Sequence, residues 1–353
     1  MHLRGPSCDD VCESVGLLAS RWHLPVISFG CWSDILSNRD EFATLLRTTG
    51  SFGEIGTFVR NIMKFFSWKR VTLVTGPQAA WLSAVVNISI DFRNVGIVAR
   101  RLTLDNDKLN ETLFVEAQQC RIFVLCAYGQ DIIHFMLTAY ELGLMNGDYA
   151  FVAIDYANMA KIFPETYNSI VPLEDVFGGM LDITVDVRPE EPEFAEFMKD
   201  MDTFKATNNT SYEFGIRVAL VVDAIYLYIL ALNNCIRDGG LCPLGRDIVN
   251  YLYGSTETGV TGSLAVDYDG SRHTSYMLHS IHGDRYVPVA RTKDGGVGFQ
   301  IIEGTTDIVW PGGSTKIPLG EPSFTLTVIG SVLALLIVAV LLGFLIYWVW
   351  SQT

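Results

Sequence analysis

Short apolar runs alternate with longer amphipathic stretches through the middle of the chain. The run Arg70-Val-Thr-Leu-Val-Thr75 predicts a buried strand that ends at Gly76-Pro77, and the residues after it predict a helix. Further strands are predicted at 95–104, 121–126 and 149–154, with helices between them. Repeated strand and helix of this kind is typical of a parallel sheet with helices on both faces. The pattern therefore predicts an α/β fold.

The later part of the chain has a different pattern. Helices are predicted at 191–201 and 212–234, and the second is apolar on most faces, so we expect it to be buried. After Gly254 the segments become short strands. A hairpin is predicted from Gly262 to Arg272, turning at Asp269-Gly270, with 275–281 as the returning strand.

The stretch from Phe324 to Trp350 carries no charged residue. At about 1.5 Å per residue it reaches roughly 40 Å, enough to cross a hydrocarbon core of about 30 Å. Aromatic residues at its end match the belt found where a span meets headgroups. We predict a transmembrane helix here. No basic anchor follows Trp350 and no apolar leader precedes Cys8, so we expect both ends of the chain to be cut.

The net charge and the motifs of the chain limit the classes of function that it can have. The net charge of −14 argues against nucleic acid and anionic lipid as partners and favours a basic ligand. No phosphate-binding loop, dinucleotide fingerprint or zinc-protease motif occurs. His279 and His282 are predicted to face opposite sides of a strand, and the acidic run Asp267 to Gly270 has no closing carboxylate, so neither indicates a metal site. We expect no enzyme activity from this chain.

Cysteines and sequons indicate an oxidising, extracellular setting. The chain has 7 cysteines, and Cys235 and Cys242 flank a short turn that favours a local disulfide between them. Sequons for N-glycosylation occur at four positions, which are Asn87, Asn110, Asn208 and Asn209. Together with the predicted span, they favour a single-pass type I protein of the plasma membrane with its N-terminal region outside the cell.

Ligands of open α/β sheets bind in the crevice at the carboxyl ends of the parallel strands. Tyr128 follows one predicted strand, and Asp155 and Tyr156 follow another. An aromatic ring and a carboxylate are groups that a peptide or amino-acid ligand needs, so these three residues are our candidates for ligand binding. The alternative is that they cap helices or fill the seam between two lobes.

Several segments resemble the ectodomains of natriuretic-peptide-type receptors, the receptor guanylyl cyclases and their clearance-receptor relatives. The similar segments are Gly5-Pro-Ser-Cys8 with Arg21-Trp-His-Leu-Pro-Val-Ile-Ser28, Phe42–Thr48, Phe66–Val71, Tyr140–Tyr149, Glu191–Phe197 and Val260–Leu264. The segment Ile308-Val-Trp-Pro-Gly-Gly313 resembles the cyclase branch.

The resemblance implies a two-lobed fold of the type I periplasmic-binding-protein class, N-terminally incomplete here, that binds a peptide hormone as a homodimer. It implies that the backbone amides of Ser7 and Cys8 bind chloride, which is the one candidate for a bound cofactor. Cys8 would lack its usual disulfide partner unless Cys12 or Cys31 replaces it. Cys126 would pair with Cys120 or stay free.

The expected organisation follows from the resemblance together with the pattern. It assigns residues 1–67 to a membrane-distal lobe, 68–185 to a membrane-proximal lobe, 186–255 to the distal lobe, 256–318 to the proximal lobe, 319–323 to a linker and 324–350 to the span. We expect the extracellular region of a membrane guanylyl cyclase that signals through dimer rearrangement. The alternatives are a clearance receptor without catalysis, an amino-acid-sensing receptor on the same fold, and a ligand-free dimerisation scaffold.

Overall fold

A computed structural model describes ten segments of the chain. These are residues 3–4, 9–154, 170–188, 191–209, 216–239, 246–254, 257–283, 285–293, 298–303 and 308–320. The predicted span at 324–350 lies outside the described residues, as do Ser7, Cys8, Asp155, Tyr156 and Cys242.

A small lobe is built on a parallel sheet of three short strands in the order β1-β2-β3, which are Leu3–Arg4, Val26–Ser28 and Leu45–Arg47. Helix α1 (Asp9–Arg21) follows β1, and its first turn carries two carboxylates where the helix dipole favours them. The long helix α8 (Ile216–Arg237), the short helix α9 (Arg246–Asn250) and the antiparallel strands β9 (Thr258–Gly259) and β10 (Gly262–Ser263) complete this lobe.

A large lobe is built on an eight-stranded sheet in the order β13-β12-β11-β8-β7-β6-β4-β5. The five strands from β5 to β8 are parallel: β4 (Arg70–Thr75), β5 (Val98–Thr103), β6 (Ile122–Cys126), β7 (Ala150–Ile154) and β8 (Leu181–Val185). The remaining strands are antiparallel: β11 (Tyr276–His282), β12 (Arg285–Lys293) and β13 (Gly298–Ile301).

Helices cover both faces of the large sheet because alternate strand residues point to opposite sides. Ile122 and Val124 of β6 pack with α2 (Phe52–Phe65) and α3 (Ala79–Asn94). Phe123 and Leu125 pack on the other face, with α4 (Leu109–Ala117), α5 (Gly129–Glu141) and α6 (Leu173–Phe177). Helix α7 (Pro192–Asn208) follows β8. The α/β prediction is confirmed.

The chain crosses between the two lobes at different residues from those expected. Helix α2 lies within 1–67, yet Phe58 and Ile62 pack into the core of the large sheet. Strands β9 and β10 lie within 256–318, yet Leu264 packs with the small lobe. The chain therefore enters the large lobe after Arg47 and returns to it at Tyr276. An amphipathic pattern shows that a helix has a buried face but not which sheet buries it.

The hairpin predicted from Gly262 onward is correct at its turn and directly beside it, where Val266 and Arg272 form an antiparallel bridge. The Asp267 amide donates to the Ser271 carbonyl at 2.9 Å and the Gly270 amide donates to the Asp267 carbonyl at 2.9 Å, so the chain does reverse there. The returning segment instead forms β11, which pairs with β8 and β12 of the large sheet. An alternation of apolar and polar residues predicts a strand, but it does not predict which strand pairs with it.

The cysteine pairing in the structure decides between the alternatives left open by the sequence. Cys12 of α1 and Cys31 form a disulfide, with their Cα atoms 6.1 Å apart, so neither replaces a lost partner of Cys8. Cys120 and Cys126 are buried and free, which settles the choice left open for Cys126. Cys235 is disulfide-bonded, and its partner lies outside the described residues.

Among the described helices, α8 is long and apolar enough to cross a membrane by length and composition. Its packing indicates a core helix instead, because Ala224, Leu227 and Ala231 are buried against the small lobe. Asp223, in the middle of the helix, is fully buried and pairs with Arg272.

Candidate functional site at the crevice and hinge between the lobes

The crevice lies at the carboxyl ends of the parallel strands of the large sheet. Tyr128 is the second residue after β6 and the residue directly before α5, and 46% of its surface is exposed. Its ring contacts Trp81 edge to face at 5.7 Å between centroids, and Trp81 lies 5.3 Å from Phe52. A row of three aromatic rings therefore leads from the start of α2, where the chain enters the large lobe, to the crevice.

Tyr128 is the one sequence-predicted ligand residue that the described part of the structure places in the crevice. Asp155 and Tyr156 follow β7, whose carboxyl end lies beside that of β6, but both lie outside the described residues. The chloride candidates Ser7 and Cys8 lie outside them as well. The ligand and chloride assignments therefore stay predictions.

Acidic side chains surround the same edge of the sheet, and sequence reasoning missed them. A depression of about 490 Å³ lies beside the ends of β4 and β5, and it is lined by Pro77, Leu104, Asp105, Asn106, Asp107 and Asp131. Gln78 donates from Nε2 to Asp131 Oδ2 at 3.4 Å. The signal in the sequence was Leu104-Asp-Asn-Asp107 directly after a predicted strand. Three carboxylates at one edge favour a cationic ligand.

The predicted glycosylation sites differ in their surroundings. Asn110, Asn208 and Asn209 are exposed. Asn87 lies in α3, and its Nδ2 donates to Asp34 Oδ2 at 2.6 Å. Asp34 also accepts the Gly53 amide through Oδ1 at 3.0 Å, so this carboxylate of the small lobe joins the first turn of α2 and the middle of α3.

Arg47 is the centre of the small-lobe side of the hinge. It ends β3, is 1% exposed, and donates to the carbonyls of Cys31 and Ser33 at 3.0 and 2.8 Å. It also donates to the hydroxyls of Ser37 and Ser271. All five donors of the guanidinium are satisfied by neutral oxygens, and among the described residues no carboxylate forms an ion pair with it. Burial lowers the pKa of Arg47.

A buried carboxylate supports the same loop from α1. Asp9 accepts the Ser33 amide through Oδ1 at 2.7 Å. Burial raises the pKa of Asp9, and its backbone hydrogen bonds act against that rise. With Arg47 and the Cys12–Cys31 disulfide, Asp9 fixes the segment between β2 and β3 that faces the large lobe.

Glu54, in the first turn of α2, lies where the chain crosses between the lobes. Burial raises the pKa of Glu54 to about 8. Its Oε1 lies 3.6 Å from His273 Nδ1, and His273 Nε2 lies 2.9 Å from Asp267 Oδ2. Glu54 Oε2 and the hydroxyl of Tyr276 have no hydrogen-bond partner among the described residues, and both lie against the Cα of Gly50.

A buried ion pair between Asp223 and Arg272 lies on the small-lobe side of the hinge. Asp223 of α8 accepts hydrogen bonds from the amides of Val260 and Thr261 at 2.6 and 3.0 Å, and Arg272 Nη1 lies 3.5 Å from Asp223 Oδ2. Arg272 Nη2 donates to the Thr261 carbonyl at 2.6 Å. Further along, the Asp186 amide donates to the Ser275 carbonyl at 2.8 Å and joins two of the crossing segments.

Comparison with known proteins identifies this architecture. A family model described as the receptor family ligand binding region matches residues 3–284. The chain belongs to this family. The match takes in both lobes, the crevice and the hinge.

Individual relatives are receptors and cyclases. The chain is 24% identical over 288 residues to atrial natriuretic peptide receptor 3 of Bos taurus, covering 78% of this chain and 53% of that protein. It is 26% identical over 307 residues to atrial natriuretic peptide receptor 2 of Rattus norvegicus, covering 78% of this chain and 29% of the relative. Guanylate cyclase 2G of Rattus norvegicus is 23% identical over 318 residues, with 81% and 28% covered. The chain thus spans about half of the first relative and less of the others. The resemblance to this receptor family is confirmed.

Proposed function

We propose that this chain is the extracellular ligand-binding region and membrane anchor of a peptide-hormone receptor of the guanylyl cyclase type. The observation that carries the proposal is the family match over both lobes, with relatives named as natriuretic peptide receptors and a guanylate cyclase. The proposed location is the plasma membrane, with residues before Phe324 outside the cell. The chain itself is proposed to bind and signal without catalysis.

The acidic crevice supports a basic peptide as the ligand. Asp105, Asp107 and Asp131 lie at one edge of the sheet in a chain whose net charge is −14. The half-exposed ring of Tyr128 provides an apolar contact beside them. An aromatic anchor next to carboxylates fits an apolar residue flanked by Lys or Arg.

The outer face of α3 supports a second docking position. Leu82, Val86 and Ile90 follow each other at intervals of one helical turn, and each is exposed. A peptide too large for the crevice can lay an apolar face along this stripe. The crevice and the α3 stripe are the two positions that a binding experiment has to separate.

The apolar face of α1 supports a homodimer. Val11 and Leu18 are exposed on the same side of the helix because they are seven residues apart, and Trp22, directly after the helix, is exposed as well. A single span cannot transmit a signal alone as a rigid rod, so we propose that two copies pair and that hormone changes the geometry of the pair.

Chloride bound by the amides of Ser7 and Cys8 stays part of the proposal through the resemblance alone.

A clearance receptor, which binds and internalises peptide without catalysis, is the second candidate. The relatives have at least two lengths, because the matched region is 53% of receptor 3 and 29% of receptor 2. Both lengths include the ligand-binding region, so this chain fits either class.

The test of the proposed function is peptide binding by the chain displayed on cells. A panel of basic peptides is compared with charge-reversed versions of the same sequences. Saturable binding of the basic peptides, with weaker binding at higher salt, is expected because the crevice is acidic. Absence of saturable binding at verified surface expression would favour a ligand-free dimerisation scaffold.

A further inference from the structure

The segment 308–320, which we call the strap, runs along the base of the large lobe. The base is the edge formed by the amino ends of the parallel strands, opposite the crevice. Trp68 precedes β4, Gly147 precedes β7 and Gly179 precedes β8, and the strap contacts all three. Its Pro- and Gly-rich composition is typical of a flexible tether, yet it is packed against the lobe.

Two tryptophans fix the strap. Trp310 is 1% exposed, and its ring lies 5.3 Å from Phe66 and 5.6 Å from Trp68. Trp68 donates from Nε1 to the Pro318 carbonyl at 2.8 Å. Both halves of the strap are therefore joined to the segment that ends α2 and begins β4.

Close contacts between backbone atoms also hold the strap against the lobe. A Cβ at Gly179 would lie 2.7 Å from the Trp310 carbonyl oxygen and nearer still to the backbone of Pro311, so no side chain fits between the strap and the lobe there. A Cβ at Gly312 would lie 2.7 Å from the Met145 carbonyl oxygen. Backbone packed on backbone at this distance leaves the strap little freedom to lift away.

The outer side of the strap is apolar. Ile317 and Leu319 are 53% and 65% exposed, while Pro318 between them is buried. Phe65, half exposed, is linked to the strap through two rings, since its own ring is 5.0 Å from Phe66, and Phe66 stacks on Trp68. Three exposed lysines, at positions 64, 69 and 316, are the sequence neighbours of Phe65, Trp68 and Ile317. At the other end of the strap, Glu174 and Asp175 lie beside Gly312.

The length of chain beyond the strap limits how far this surface can lie from a bilayer. Gly320 is followed by Glu321, Pro322 and Ser323, and the predicted span begins at Phe324. At about 3.5 Å per residue, Gly320 lies within about 14 Å of the start of the hydrocarbon core. The headgroup layer occupies much of that distance. Exposed apolar side chains with lysines around them are typical of a surface that rests in this layer.

We propose that the strap seats the large lobe on the outer leaflet, with Ile317, Leu319 and Phe65 inserted among zwitterionic headgroups and the lysines on lipid phosphates. The proposal rests on the membrane anchoring in the proposed function. The seated base holds the large lobe at a fixed orientation to the membrane, so that a change in the geometry of the paired copies is passed directly to the predicted spans.

The test uses the full chain in phosphatidylcholine vesicles that contain lipid with a nitroxide on the headgroup. An environment-sensitive fluorophore is attached at Ile317→Cys, and the reference is Ile229→Cys, an exposed apolar position on α8 of the small lobe. We expect the label at position 317 to be quenched severalfold more than the label at position 229. Equal quenching at the two positions, in chain that floats with the vesicles, overturns the proposal and leaves the receptor function intact. Chain that does not float with vesicles overturns both.

A second reporter, at Lys69→Cys, tests whether the lobe itself is seated. Gly179→Val should lift the strap and reduce quenching at position 69 severalfold, whereas Gly96→Val should leave it unchanged. The two glycines match because both have a positive φ, of +83° and +78°, but Gly96 has open space around it. Unchanged quenching at position 69 in folded Gly179→Val would show that the strap does not hold the lobe in place.

Discussion

At the scale of single residues, Glu54 makes the hinge sensitive to pH. Its pKa is raised from 4.5 to about 8 by burial, so between these values the folded protein holds a proton that the unfolded chain has lost. The free energy of unfolding should therefore fall as pH rises through this window. Since Glu54 is partly open to water, we expect a loss of about 2 kcal/mol, less than the full shift implies.

Glu54→Gln should remove this dependence while keeping the acceptor for the Thr274 amide. The measurement is chemical denaturation between pH 5 and 9, with exposed Glu111→Gln as the control. The groups around Glu54 are Arg47, Asp267, Asp269, Arg272, His273 and Tyr276, so His273→Gln is measured as well. A pH profile of Glu54→Gln that matches wild type would contradict the assignment to Glu54.

Arg47 is a residue that lysine cannot replace. Lysine has three donors on one atom and cannot reach two carbonyls and two hydroxyls arranged around a planar guanidinium. We expect Arg47→Lys to lower the free energy of unfolding by about 3 kcal/mol, because buried carbonyls lose their donors. Exposed Arg101→Lys is the control, and equal stability of the two variants in urea would rule out a structural role for the guanidinium.

At the scale of secondary-structure elements, a substitution in α8 can test whether this helix belongs to the core or spans a membrane. Asp223→Leu makes this helix more apolar, which would improve a span but leaves Arg272 and two amides without their buried acceptor. We expect a loss of at least about 3 kcal/mol in stability and a large drop in surface display. Asn233→Leu, an exposed change on the same helix, adds similar apolarity and should have little effect. Better membrane insertion with full display of Asp223→Leu would identify α8 as a span.

At the scale of the whole molecule, the proposed hormone has two candidate docking positions, the crevice and the α3 stripe. If the crevice binds it, Tyr128→Ala and Asp131→Asn should each weaken peptide affinity at matched expression, Tyr128→Ala by about 2 kcal/mol. Asp155→Ala, at the neighbouring strand end, should do the same for a basic peptide. Val86→Asp on α3 should then leave the peptide affinity unchanged. The reverse result, loss with Val86→Asp and none with the other three, would move the site to the α3 stripe.

The hinge network could not have been predicted, because its members are far apart in sequence. Arg47 contacts Ser271, Glu54 lies beside His273, and Asp223 pairs with Arg272. Each of these residues looks unremarkable in its own segment, and only the three crossings between the lobes bring them together. The Cys12–Cys31 disulfide is similar, since spacing alone did not select it over other pairs.

The sequence by itself determined the α/β class, the strands at 70–75, 121–126 and 149–154, and the resemblance to a receptor family, because buried parallel strands are continuous apolar runs whatever surrounds them. Only the tertiary structure decided which sheet receives α2, where β11 pairs, and that the strap is packed rather than loose. The physical reason is that local patterns fix how a segment folds, whereas its partners depend on shape and on contacts between distant residues. The Pro- and Gly-rich strap illustrates this, because the glycines that suggest flexibility are the residues that let two backbones meet.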